Sequence, residues 1–151
     1  MGRIVVGVDG SEESVRGLRW ARDEARLRDC ALELVHTYPE LELSYPQPDL
    51  VDSPDRGGLP TEAELARAKT ELLRDALTGV GGADEVEVTI TVRTGSAAAT
   101  LCEAAAGADL LVVGARGLGG FRGLLLGSVS QQVVAHSPCP VVIVTPETGR
   151  G

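Results

Sequence analysis

Short runs of β-branched residues alternate along the chain with longer stretches of helical spacing. Residues 3–8 (Arg-Ile-Val-Val-Gly-Val) end at Asp9-Gly10 and predict a buried strand. Ser11 is placed to cap the following helix, and Glu12 and Glu13 suit the positive end of its dipole. That helix is expected to run to about Arg28, with Leu18, Ala21 and Ala25 inward. Residues 31–37 predict a second apolar strand. Residues 38–60 break the pattern with five prolines and several acids, a length that marks a functional or disordered connection. Thr61 with Glu64 reads as a capping box opening a second helix. Leu65, Ala68, Leu72 and Ala76 are read as its apolar stripe, and Gly79, Gly81 and Gly82 as its end.

In residues 86–92, Val86, Val88, Ile90 and Val92 alternate with polar residues. This predicts a strand with one exposed face, near a sheet edge. Gly95-Ser96 opens a third helix through Ala106. Residues 109–114 are the most continuously apolar strand and are expected centrally. A glycine-rich stretch follows, then a helix from about Ser128 and a last strand at Val141–Val144. Regular alternation of strand and helix predicts an α/β fold: one five-stranded parallel sheet, Rossmann-like, with helices on both faces. The 151 residues suit a single domain, 1–151. Ligands of such sheets bind beyond the C-terminal strand ends, which directs attention to residues 7–11 and 114–130.

Composition narrows the function. Aromatics make up only 3% of the chain, so the core must be aliphatic. The net charge is −8 and Lys69 is the only lysine, which argues against nucleic-acid binding; an anionic ligand must be held mainly by backbone N–H groups. Cys30, Cys102 and Cys139 have no metal or redox spacing and are read as small buried hydrophobes in a reducing compartment. No segment approaches the ~20 apolar residues of a membrane helix. A soluble, cytoplasmic protein is expected.

The stretch 114–130 holds six glycines. Glycine lets backbone approach a ligand closely, and successive N–H groups can form an anion site. Gly127-Ser128 precedes a helix, whose free N–H groups and dipole favour phosphate. Ser128 and Ser130 offer hydroxyls, and Ser128 with Gln131 fits a capping box. Arg116 and Arg122 are placed to neutralise phosphates and equally to stand in solvent. There is no G-K-[ST] sequence of the Walker A type, because Lys69 falls in a helix expected far from this loop, and no G-x-G-x-x-G after the first strand. His36 and His136 have no metal-ligand spacing; His36 ends a strand and reads as packed there.

The spacing Gly114-x2-Gly117-x9-Gly127-Ser128 resembles the ATP-binding signature of the universal stress protein family. Residues 5–11 resemble that family's first strand and turn, and residues 137–144 its closing segment. The resemblance implies strand order 3-2-1-4-5 and a site for ATP with Mg²⁺. In it, Asp9 would contact the ribose or a divalent cation on the phosphates, beside Gly7 and Val8. Thr37 would offer backbone groups to adenine, Gly114 and Gly117 would line the ribose and phosphate path, and Gly127, Ser128, Val129 and Ser130 would hold the phosphates. It also implies a C2 homodimer through Val141–Val144 and a nucleotide-dependent signalling role toward a protein partner, with at most slow hydrolysis. A weak ATPase or nucleotidyl transferase, a sensor of AMP or cyclic AMP, and a nucleotide-free interaction protein stand as alternatives.

Overall fold

The computed structural model describes residues 1–39, 60–116 and 126–146. Five parallel strands form one sheet: β1 (Arg3–Gly7), β2 (Ala31–Tyr38), β3 (Val88–Thr94), β4 (Leu110–Gly114) and β5 (Val141–Val144). Their order is β3-β2-β1-β4-β5, as expected. Four helices connect them: α1 (Glu12–Arg28), α2 (Glu62–Val80), α3 (Ala97–Ala104) and α4 (Ser128–His136). β1 is the middle strand. β4 is interior, between β1 and β5, and the edges are β3 and β5.

Strand alternation divides the core into two layers. Ile4 and Val6 of β1, Leu32 and Leu34 of β2 and Val112 of β4 pack with Leu18, Ala21 and Ala25 of α1 and Leu73 and Leu77 of α2. The intervening residues Val5, Val35, Leu111 and Val113 face the other way, toward Ala98 and Leu101 of α3 and Val133 of α4. Because β1 and β4 are covered on both faces, they read as nearly continuous apolar runs; β2, also interior, interrupts its apolar run with Glu33, which pairs with Arg3, and with the buried His36.

Four local readings need correction. The third strand is Val88–Thr94 rather than 86–92, after a 3₁₀ turn at Ala83–Glu85; pairing of Leu32 with Val88 through Tyr38 with Thr94 sets the register. The stripe of α2 is rotated by one residue. Leu73 is fully buried whereas Leu72 is 41% exposed, and Ala68 is exposed too. Two adjacent leucines let either phase satisfy the pattern, and packing on the sheet selects Leu73, Ala76, Leu77 and Val80. α3 stops at Ala104 instead of Ala106. Of the cysteines, only Cys30 is buried; Cys102 and Cys139 are partly exposed. Desolvation by its surroundings, reinforced by the Cys139 thiol, pushes the Cys102 thiol up from its ordinary pKa.

The capping box of α2 is present. The Glu64 N–H donates to Thr61 Oγ1 at 3.2 Å, and the Thr61 N–H donates to the Glu64 carboxylate at 3.1 Å. Thr61→Ala is therefore expected to lower stability by about 1 kcal/mol, a fall of roughly 2–4 °C in thermal midpoint for a chain of this size. Differential scanning calorimetry measures it.

Candidate functional site

The chain leaves β1 toward α1 on one face and leaves β4 toward α4 on the other. The crevice between those departures is the switch point where doubly wound sheets bind ligands. A cavity of about 430 Å³ occupies it, within the range of small-molecule sites. Gly7, Val8 and Asp9 line it from the end of β1, His36, Thr37 and Tyr38 from the end of β2, and Gly114 from the end of β4. Gly127, Ser128, Val129 and Ser130 line it from the start of α4, and Lys69 from α2.

Asp9 is built into the entry of α1. Its Oδ1 accepts from the Ser11 N–H at 2.9 Å and from the Ser11 hydroxyl at 2.5 Å. Ser11 Oγ in turn accepts from the Ser14 N–H at 3.2 Å and so caps the helix. Asp9 thus holds the turn and also lines the cavity. Gly10, with φ of +89°, makes the tight turn between them, a conformation that L residues with a Cβ adopt only under strain.

α4 is pinned to the end of β4 by one carbonyl. Ala115 C=O accepts from the Gly127 N–H at 2.6 Å and from the Ser130 hydroxyl at 2.7 Å. Two expectations change here. Gly127, not Ser128, is the N-cap, and no side chain caps the helix; the Gln131 side chain donates instead to Leu126 C=O at 2.9 Å. Ser130 is 2% exposed, and its hydroxyl donates within the protein, to Ala115 and Gly127. Its hydroxyl proton is therefore engaged within the protein and leaves only the backbone N–H as a donor toward the cavity. The first-turn N–H groups of α4 have no acceptor within the helix, as at any helix start, and the residues that carry them line the cavity. Gly127 has φ −75° and ψ 174°, extended backbone open to any residue. Its lack of a side chain therefore matters for access rather than for chain geometry.

Arg116 is not among the residues lining the cavity. Its backbone N–H donates to Glu13 Oε2 at 2.8 Å, and its guanidinium pairs with Glu13 Oε1 at 3.2 Å. This couples the loop after β4 to the first turn of α1. A Cβ on Gly114 would lie 3.1 Å from the Glu13 Cβ, so glycine permits that approach. Gly117, Arg122 and residues 40–59 lie outside the described residues.

Lys69 corrects the expectation that it stands far from the glycine-rich segment, because it shares the cavity with residues 127–130. The signal for it was helical: Lys69, Leu73 and Leu77 are spaced by four and share one face of α2, and choosing Leu73 over Leu72 turns Lys69 inward. His36 is 8% exposed. Its Nδ1 lies 2.7 Å from Val8 C=O, and a carbonyl only accepts, so Nδ1 carries the proton. Its Nε2 is buried with no hydrogen-bond partner among the described residues.

Among the described residues, no three His, Cys, Asp or Glu side chains cluster as a metal site, and no helix is long and apolar enough to cross a membrane. Asp9 is the one acidic residue lining the cavity among the described residues.

Comparison with known proteins places this geometry in context. The model of the universal stress protein family matches residues 1–145. A universal stress protein from Thermus aquaticus, encoded 3′ of a QAH/OAS sulfhydrylase, is 37% identical over 145 residues, covering 93% of this chain and 96% of that protein. A universal stress protein from Mycolicibacterium smegmatis is 34% identical over 142 residues, covering 93% of this chain and 47% of the relative. The chain spans about half the length of several curated relatives it matches. Among solved structures, UspA from Lactobacillus plantarum superposes with a TM-score of 0.73 at 25% identity, over 95% of this chain and 97% of that one. A universal stress protein in complex with cAMP gives 0.65 at 28% identity, over 95% and 96%. The Archaeoglobus fulgidus protein in complex with dAMP gives 0.65 at 25% identity, over 95% and 98%.

Proposed function

The chain belongs to the universal stress protein family, and from that premise we propose that it is a binding module for an adenine nucleotide, ATP with Mg²⁺ first. One observation carries the reading: the first turn of α4, with its N–H groups unpaired inside the helix, lines the same cavity as Asp9. A helix start favours phosphate through those groups and through its dipole. Gly127, Ser128, Val129 and Ser130 would hold the phosphates by backbone, and Thr37 would present its backbone to the base. Asp9 fits a magnesium ion, which is commonly held by one or two carboxylates together with the phosphates. The ion would supply charge neutralisation that, among the described lining residues, otherwise comes from Lys69, because Arg116 is paired to Glu13.

The role is signalling rather than turnover: occupancy of the cavity would alter the surface that a protein partner meets. Among the described lining residues none stands out as a base positioned for phosphoryl transfer, and the reading therefore takes hydrolysis to be slow. The relatives in complex with cAMP and dAMP favour one second reading, a site for a nucleoside monophosphate. Isothermal titration with ATP, AMP and cyclic AMP, each with and without Mg²⁺, decides between them. ATP binding tightest in the presence of Mg²⁺ supports the first reading; AMP or cyclic AMP binding tighter, indifferent to Mg²⁺, replaces it with the second.

Asp9→Asn separates the two roles of that residue. The amide keeps an oxygen acceptor for Ser11 and loses the charge. The gain in ATP affinity on adding Mg²⁺ should fall about tenfold, the loss of one charge-assisted contact. The thermal midpoint should move by less than the equivalent of about 1 kcal/mol.

β5 lies at the sheet edge with all four residues half-buried. An apolar edge is open to strand pairing, and pairing with a second copy would give a C2 dimer. Sedimentation equilibrium should return twice the 15.7 kDa chain mass. The chain mass alone would remove the dimer from this account.

A further inference from the structure

Glu12 and Glu13 both stand in the first turn of α1, where the helix dipole favours an acidic side chain. Only Glu12 is left exposed; the Glu13 side chain turns inward and is 15% exposed. Glu13 is not among the residues lining the cavity. Its carboxylate instead holds two groups of one residue. Oε2 accepts from the Arg116 backbone N–H at 2.8 Å, and Oε1 accepts from the Arg116 guanidinium at 3.2 Å.

That N–H belongs to the same peptide unit as the Ala115 C=O. A trans peptide is planar, so its N–H and C=O point in opposite directions. The N–H runs to Glu13 on α1. The C=O accepts from the Gly127 N–H at 2.6 Å and from the Ser130 hydroxyl at 2.7 Å, at the start of α4. One peptide unit thus bridges the first turns of two helices on opposite faces of the sheet. The strand side of Ala115 is fixed separately, because its own N–H donates to Val144 C=O at 2.9 Å. Rotation of the 115–116 plane would give up the Glu13 bond and both α4 bonds together. Hydrogen bonds in such a chain polarise one another, and the bond to the anionic carboxylate is of the stronger, charge-assisted kind.

We propose that Glu13 is the positioning residue of the α4 N-terminus: by holding the 115–116 peptide plane, its carboxylate sets where the N–H groups of Ser128, Val129 and Ser130 meet a ligand phosphate. This inference rests on the nucleotide-binding reading and adds to it a residue that touches no ligand. The Arg116 guanidinium neutralises the carboxylate, and the backbone bond does the positioning.

The test compares Glu13→Ala with Glu13→Gln, whose amide oxygen still accepts from the Arg116 N–H while the charge is lost. Two readouts are taken on the full chain: hydrogen exchange of the Gly127 amide without nucleotide, and ATP affinity with Mg²⁺ by calorimetry. Glu13→Ala should speed Gly127 exchange about tenfold and weaken ATP about tenfold, the loss of one charge-assisted hydrogen bond. The Leu111 amide, which donates to Pro140 C=O near the start of β4, should keep its protection, because the opening is local. Glu13→Gln should stay within about threefold of wild type in both readouts, since a neutral acceptor keeps the bond. Unchanged Gly127 exchange in Glu13→Ala overturns the proposal. Gly127 and Leu111 exchanging faster together reduce Glu13 to a contributor to global stability and overturn it as well. Glu13→Gln falling as far as Glu13→Ala assigns the effect to charge, and faster Gly127 exchange with full ATP affinity separates α4 placement from binding; either result overturns it. Wild type that takes up no ATP removes the nucleotide-binding reading, and Gly127 exchange then still decides whether Glu13 holds α4.

Discussion

Replacing Gly127 by valine should abolish nucleotide binding while leaving the protein folded. Gly127 lies at φ −75° and ψ 174°, which valine adopts freely, so no backbone strain is introduced. Its side-chain position is at the N-cap of α4, in the cavity lining. A branched side chain at this lining position would crowd the N–H groups of Ser128, Val129 and Ser130, which would donate to the proposed phosphates. Several charge-assisted backbone hydrogen bonds are then lost together, each worth about 1.5–3 kcal/mol, so affinity should fall at least a hundredfold. The folded state loses only a weak glycine cap, about 1 kcal/mol or less. Titration calorimetry for ATP and thermal melting of the same preparation measure the two effects. A variant that binds ATP normally would place the phosphate site elsewhere.

The second large effect concerns the sheet. Leu111 sits in β4 between β1 and β5 and has no exposed surface. Its side chain packs with Val5, Val35, Leu101 and Val133, the layer that carries α3 and α4. Leu111→Ala removes buried methyl groups and leaves a cavity in a close-packed layer, at a cost of about 2–5 kcal/mol. For a chain of this length that is a fall of roughly 5–15 °C in thermal midpoint. The same change should weaken ATP binding only slightly at temperatures where the variant is folded, because Leu111 lies below the cavity lining. Denaturant unfolding gives the first quantity. Leu72→Ala is the matched control on α2: with 41% of its surface exposed, it should cost well under half as much.

Much of this architecture is legible in the chain itself. The β-branched runs and the helical spacing locate all five strands and four helices, and Ser11 and Thr61 announce their caps because N-capping is a local interaction. Strand order is a long-range property. It came from resemblance to a family, and pairing of β1 with β2 and β4 agrees with it. Several of the readings that failed depended on contacts between segments distant in sequence. The adjacent Leu72 and Leu73 leave the phase of α2 ambiguous until the sheet is present, and with that phase the direction of Lys69 is lost. Ser130 reads as a phosphate donor until Ala115 C=O, fifteen residues earlier, is seen to take its hydroxyl. Arg116 reads as a loop cation until α1 brings Glu13 beside it.

The candidate site shows the same division. Asp9, Gly114 and Gly127 could be singled out because strand ends, turns and helix starts have sequence signatures. His36 and Lys69 could be brought to one cavity only by the fold, since they stand on elements joined through residues 40–59.

Native mass spectrometry of protein purified without added nucleotide tests the central claim most directly. The account predicts retained ATP, one per chain, on a dimer. A nucleotide-free species that also fails to take up added ATP and Mg²⁺ would contradict it, leaving a universal stress protein fold whose cavity serves some other ligand.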